Sequence, residues 1–183
     1  MKKSIYYLAI ITVFLFIGIG SRLWEHPANF VPLGAIALVS GYYFQGRYSW
    51  VIPLGIRLIS DILIGLFAWQ IMIAVYLSHL AMWAIGRYAS KKQSSALIPG
   101  TLLGSIIFFV ITNFAVWLYS PLYAKSFTGL WQSYLMAIPF FKWTLASDVL
   151  YSVTFIGVIE GVTLLAGLKK HQMQELKDTY HNA

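Results

Sequence analysis

Apolar residues in this chain fall in long blocks separated by short polar breaks. About 20 predominantly apolar residues carry a helix across a hydrocarbon core of roughly 30 Å, so such blocks predict membrane-spanning helices. Ile5–Gly20 is the first block, preceded by Met1-Lys2-Lys3. Its flanking lysines and the Gly18-Ile19-Gly20 end also fit a cleaved signal peptide, but its length favours retention as the first span. Further spans are expected over Phe30–Phe44, Trp50–Ala68, Gln70–Tyr88, Ile98–Tyr119 and Trp143–Leu168. The second is short. At about 1.5 Å per residue it covers roughly 22 Å, so it is expected to be tilted or capped by the loop before it.

The connection Ser120–Lys142 holds an apolar, aromatic segment, Thr128–Ile138 (TGLWQSYLMAI), with Thr128 as an N-cap and Pro139 as a stop. It predicts a short re-entrant or interfacial helix between spans five and six. The fold class is an all-α membrane protein with six transmembrane helices. Residues 1–168 form one polytopic domain and 169–183 a cytoplasmic tail, where Glu175, Lys177 and Asp178 suit a frayed helix.

Composition supports lipid as the solvent. The chain is 59% hydrophobic and 10% charged, against roughly a quarter charged in soluble proteins. With no cysteine, disulfides and thiolate metal sites are excluded. A net charge of +7 raises nucleic acid as a partner, but the basic residues sit between apolar blocks rather than in a patch. They read as topology signals. Lys2, Lys3, Arg47, Arg87, Lys91, Lys92, Lys169, Lys170 and Lys177 fall on one side, and Arg22, Lys125 and Lys142 on the other. Both termini are therefore expected in the cytoplasm, in a bacterial inner membrane. Small-residue pairs Gly100/Gly104, Gly157/Gly161 and Ala37/Gly41 predict close helix packing within the chain.

Ionisable residues inside a span cost roughly 2.5–3.5 kcal/mol each on insertion scales, so they need partners or a function. Arg57 and Asp61 lie four residues apart on one helix face. With His79 and Glu160 they are expected to form a buried charge cluster. It would act as a pin between spans three, four and six, or as an ion or proton site or a conformational latch. A second group lies towards the outer face: Arg22, His26 and Asn29 from the first loop, Asn113 and Trp117 from span five, and Asp148 from span six. Donors, acceptors and aromatics converging above a short helix suggest a small-molecule site. Arg22 would meet an anionic group, Asp148 a cationic group or a hydroxyl, Trp117 would stack, and Asn29 and Asn113 would hydrogen-bond. No catalytic motif stands out. Asp148 and Glu160 are too far apart on one helix to act as an acid/base pair, so no enzyme activity, cofactor or metal is expected.

The stretch Arg22…His26-Pro27-Ala28-Asn29-Phe30…Pro32…Ala35…Ala37…Gly41 resembles the opening of an uncharacterised bacterial family of proposed transport proteins. Pro53…Asp61…Gly65, Asn113-Phe114-Ala115-Val116-Trp117, and Thr128-Gly129-Leu130…Tyr134…Pro139-Phe140-Phe141…Asp148 extend the likeness over most of the chain. That family in turn resembles the S components of energy-coupling factor transporters. The resemblance implies a membrane subunit that binds a small solute near the outer face and pairs with a transmembrane coupling subunit and ATPases. One departure is visible: the first span has Ala9 followed by Val13, not the small-residue pair through which S components dock. The alternative is a non-transport membrane scaffold or assembly protein.

Overall fold

In hydrocarbon a backbone must satisfy its own hydrogen bonds, and a helix does so within one segment. Each apolar block accordingly forms a helix. The computed structural model describes residues 3–44, 46–92 and 94–181, with the backbone alone for Lys3, Ser4, Ser94 and residues 168–181. Among them are six α-helices: α1 Lys3–Leu23, α2 Leu33–Tyr43, α3 Val51–Ile64, α4 Trp69–Ala89, α5 Leu97–Tyr119 and α6 Phe127–His181. A 3-10 turn, Ser94–Ala96, leads into α5. No strand occurs among the described residues. Met1 and Lys2, and the tail side chains that carry part of the charge asymmetry, lie outside what is described.

α1, α4, α5 and α6 are long and apolar enough to cross a membrane. Large apolar side chains such as Phe16, Ile62, Leu66, Val110 and Leu164 point outward. Ser60, Ser78, Thr101, Ser105, Ser147 and Ser152 are fully enclosed. The interior thus mixes these hydroxyls with apolar side chains such as Phe14, Ile36 and Met82, and an exterior as apolar as the core belongs to a bundle whose solvent is lipid.

α2 sits at the centre, with Leu33 through Gly41 all buried. Close backbone approach makes this arrangement fit. A Cβ on Gly86 would lie 1.9 Å from the Leu38 carbonyl oxygen, and one on Gly41 would lie 2.1 Å from that of Trp83. Gly100 and Gly104 instead make room for the side chains of Ile85 and Met82. Gly157 and Gly161 do not follow the expectation of internal packing. Both face open space on α6.

Two element boundaries also differ from the sequence reading. Span three stops at Ile64, because Gly65 takes φ +117°, a conformation open to glycine. The expected separate helix over Thr128–Ile138 does not end at Pro139. It is the first part of α6, which runs unbroken to His181 with Pro139 inside it. Proline removes one backbone hydrogen bond, whereas unwinding the helix in an apolar medium would strand several.

Candidate functional site

The N-terminus of α2, at Leu33, stops well inside the bundle. Gly34 borders Met82 of α4 and Asp148 of α6, and Ser105 of α5 bonds to Asp148. These residues therefore lie at one level. From it α4 runs back to Trp69 and α5 runs on to Tyr119, each about 20 Å of helix at about 1.5 Å per residue. The space left above α2 holds two adjoining cavities. The inner chamber has a volume of about 50 Å³ and is lined by Gly34, Arg57, His79, Met82 and Asp148. The outer vestibule, about 200 Å³, is lined by Phe109, Thr112, Asn113, Phe140 and Phe141. Asn29, Phe108 and Thr144 border both.

Asp148 is 2% exposed. Ser105 Oγ donates to its Oδ2 at 2.7 Å, and the Ala35 backbone N–H also bonds to the carboxylate. That N–H belongs to the first turn of α2, where helix donors lack internal partners and the helix dipole favours negative charge. Only glycine fits at position 34, since a Cβ there would lie 2.3 Å from Asp148 Oδ1.

Arg57 and Asp61 pair as their spacing predicts, Nε to Oδ2 at 2.8 Å. Arg22 of α1 joins them, with Nη1 at 2.6 Å from Asp61 Oδ1 and 2.6 Å from Ser60 Oγ. The Tyr76 hydroxyl donates to Asp61 Oδ2 at 3.0 Å. Arg22 therefore belongs to the charge cluster rather than to the cavity. His79 is buried beside Arg57 in the chamber wall. Its Nδ1 lies 2.8 Å from the Val75 carbonyl oxygen. A carbonyl only accepts, so in the neutral ring Nδ1 carries the proton and Nε2 is left as an acceptor.

Glu160 is not part of the cluster. Phe155 and Ile159 turn into the core, which leaves Glu160 exposed and accepting from the Tyr43 hydroxyl at 3.1 Å. His26 also misses the site. Phe30 anchors the loop by packing on Trp143 and Tyr151, and His26 stays exposed upstream of it. Trp117 does not line either cavity. Its Nε1 donates to the Ala124 carbonyl at 2.9 Å, and Lys125 Nζ donates to the carbonyls of Trp117 and Ser120, closing the α5–α6 turn.

Asn29, Asn113 and Asp148 do reach the cavities. Asn29 adopts φ +67°, a left-handed conformation that asparagine tolerates better than most residues. Asn113 Nδ2 donates to the Phe109 carbonyl at 2.8 Å. The sequence reading missed Gly34, Phe108, Phe109, Phe140, Phe141 and Thr144. Two Phe-Phe pairs, each near a small polar residue, were the available signal. Among the described residues no group of three His, Asp or Glu side chains gathers as metal ligands.

Residues 2–172 match a family of unknown function, DUF6580. The chain belongs to this family. Neither a curated protein nor a solved structure matches it. The matched stretch of this DUF6580 member takes in every residue that lines the two cavities, and the family description assigns no activity.

Proposed function

We propose that the chain is the solute-binding membrane subunit of an uptake transporter, similar to an S component. One observation carries the reading. Charged and polar side chains from α3, α4 and α6 converge on a chamber inside a membrane-type bundle, and that chamber adjoins an aromatic vestibule. A mostly apolar pocket with a few fixed polar groups is the usual build of a small-molecule site. α2 and α3, shorter than the other helices, complete six crossings. The charge asymmetry supports a topology with both termini in the cytoplasm, which on this reading turns the vestibule to the outer face of a bacterial inner membrane. A transmembrane coupling subunit and ATPases would supply the energy.

Native mass spectrometry of the gently purified protein tests the binding step. A retained small solute, lost when Thr112→Trp fills the vestibule, is the expected result. The second reading, a scaffold or assembly protein, is favoured by the open small-residue pair Gly157 and Gly161, where another helix could pack closely. Co-purification with an ATPase module, or with a partner lacking one, separates the two.

A further inference from the structure

The charges around the inner chamber do not close on one another. Asp61 is shared by two guanidinium groups, Arg22 on Oδ1 and Arg57 on Oδ2. One carboxylate therefore answers two cations. Arg57 uses Nε for this contact, and its two Nη nitrogens make no hydrogen bond to any described residue. Phe67, whose ring centre lies 6.0 Å from the guanidinium carbon, is its other neighbour of note. The second carboxylate at the chamber is Asp148, which lines it together with Arg57. No ion pair joins them within 4.0 Å, since the two found among the described residues both end on Asp61. A guanidinium that shares its carboxylate with Arg22 and a buried carboxyl group held by Ser105 and the Ala35 N–H thus border one small volume without meeting.

We infer that the chamber binds the head of a small zwitterion of the α-amino-acid type, with its apolar side chain in the vestibule. This rests on the solute-binding reading and names the class of solute. The Nη pair of Arg57 is a planar double donor that matches a carboxylate. Asp148 and His79 Nε2 are acceptors for an ammonium. A cavity of about 50 Å³ holds a few heavy atoms, given that one water needs roughly 10–15 Å³ of such volume. It therefore takes a carboxylate, an ammonium and the carbon between them, and little more. The body passes between Asn29, Phe108 and Thr144 into a space walled by Phe109, Phe140 and Phe141. A ligand with one charge would meet only one of these two facing groups.

The test is calorimetric titration of the purified full chain in nanodiscs. The zwitterion probes are L-leucine, L-phenylalanine and L-tryptophan. The single-charge controls are 3-phenylpropionate, which lacks the ammonium, and phenethylamine, which lacks the carboxylate. The expected result is that at least one zwitterion binds more than ten-fold tighter than either control. Asp148→Asn should bring phenylalanine and 3-phenylpropionate to within about three-fold of each other. Arg57→Lys, which keeps the charge but not the fork, should weaken zwitterions and 3-phenylpropionate together. Size-exclusion profiles and circular dichroism verify that the variants fold. If the controls bind as tightly as the zwitterions, the zwitterion assignment fails and solute binding stands. The zwitterion assignment also fails, again alone, if no probe binds while native mass spectrometry finds a retained solute that is not an α-amino-acid zwitterion; a retained zwitterion of that type supports it. If no probe binds and nothing is retained, both readings fail.

Discussion

Asp61, with 1% of its side chain exposed, accepts from two guanidinium groups and a phenol. The three donors are not equivalent to their acceptor. Removing the carboxylate strands two mostly enclosed cations together, which costs up to about 3–5 kcal/mol, the range for broken buried pairs. Removing Arg22 leaves Arg57 and Tyr76 on Asp61, and costs about 1.5–3 kcal/mol for the lost charged hydrogen bonds. Thermal melts in one detergent should therefore rank Asp61→Ala well below Arg22→Gln. Equal melting temperatures would mean that Asp61 does not unite the cluster. Glycine positions give a second ranking. Gly34→Ala forces a Cβ against the held Asp148 carboxylate and should cost about 1–3 kcal/mol, as overpacking does. Gly86→Ala meets the α2 backbone, which cannot rotate away, and should cost more. Gly157→Ala meets nothing within 4 Å, so the same melts should show no loss. The sequence made Arg57–Asp61 legible, because four-residue spacing puts two side chains on one helix face. It could not place Arg22 on Asp61, since that contact depends on how α1 leans on α3, and no local pattern encodes the lean. Asp148 was legible as polar at depth. Its bond to the α2 N-terminus depends on where α2 begins, and so remained hidden.

At the scale of elements, hydrophobic blocks located the helices because lipid allows the backbone little else. Boundaries were less legible. A proline reads as a stop by rules drawn from helices in water, where solvent satisfies the freed carbonyl. Inside an apolar run the surviving turns outweigh one missing bond, so α6 passes through Pro139. Spin labels can measure this. The chain has no native cysteine, and Trp131 and Val153 are both exposed on α6. In a double Trp131→Cys, Val153→Cys variant, an unbroken helix separates the two backbones by roughly 33 Å. Double electron–electron resonance should give a single narrow distribution near that value, shortened by a few Å if the helix bends at proline. A re-entrant segment folding back against span six would bring the labels under about 20 Å and would falsify the continuous helix.

For the whole molecule, the alternation of helix directions puts the turns at 24–32, 65–68 and 120–126 at one end, where the vestibule lies. The turns at 44–50 and 90–96 lie at the other. The cations divide unevenly between these ends. Arg47, Arg87, Lys91 and Lys92 lie at the second; Arg22 and Lys125 lie at the first, Arg22 paired with Asp61 and Lys125 Nζ held by the Trp117 and Ser120 carbonyls. Loops rich in lysine and arginine stay in the cytoplasm, so the vestibule end should be outside. Single cysteines make this a direct measurement. Glu25, Gly46, Ser95 and Leu122 are all exposed. A membrane-impermeant maleimide should label Glu25→Cys and Leu122→Cys in intact cells. Gly46→Cys and Ser95→Cys should react only after permeabilisation. The reverse pattern would turn the vestibule to the cytoplasm. Solute capture for uptake would then fail even if the cavity binds its ligand, because the Asn29 mouth would open on the wrong compartment.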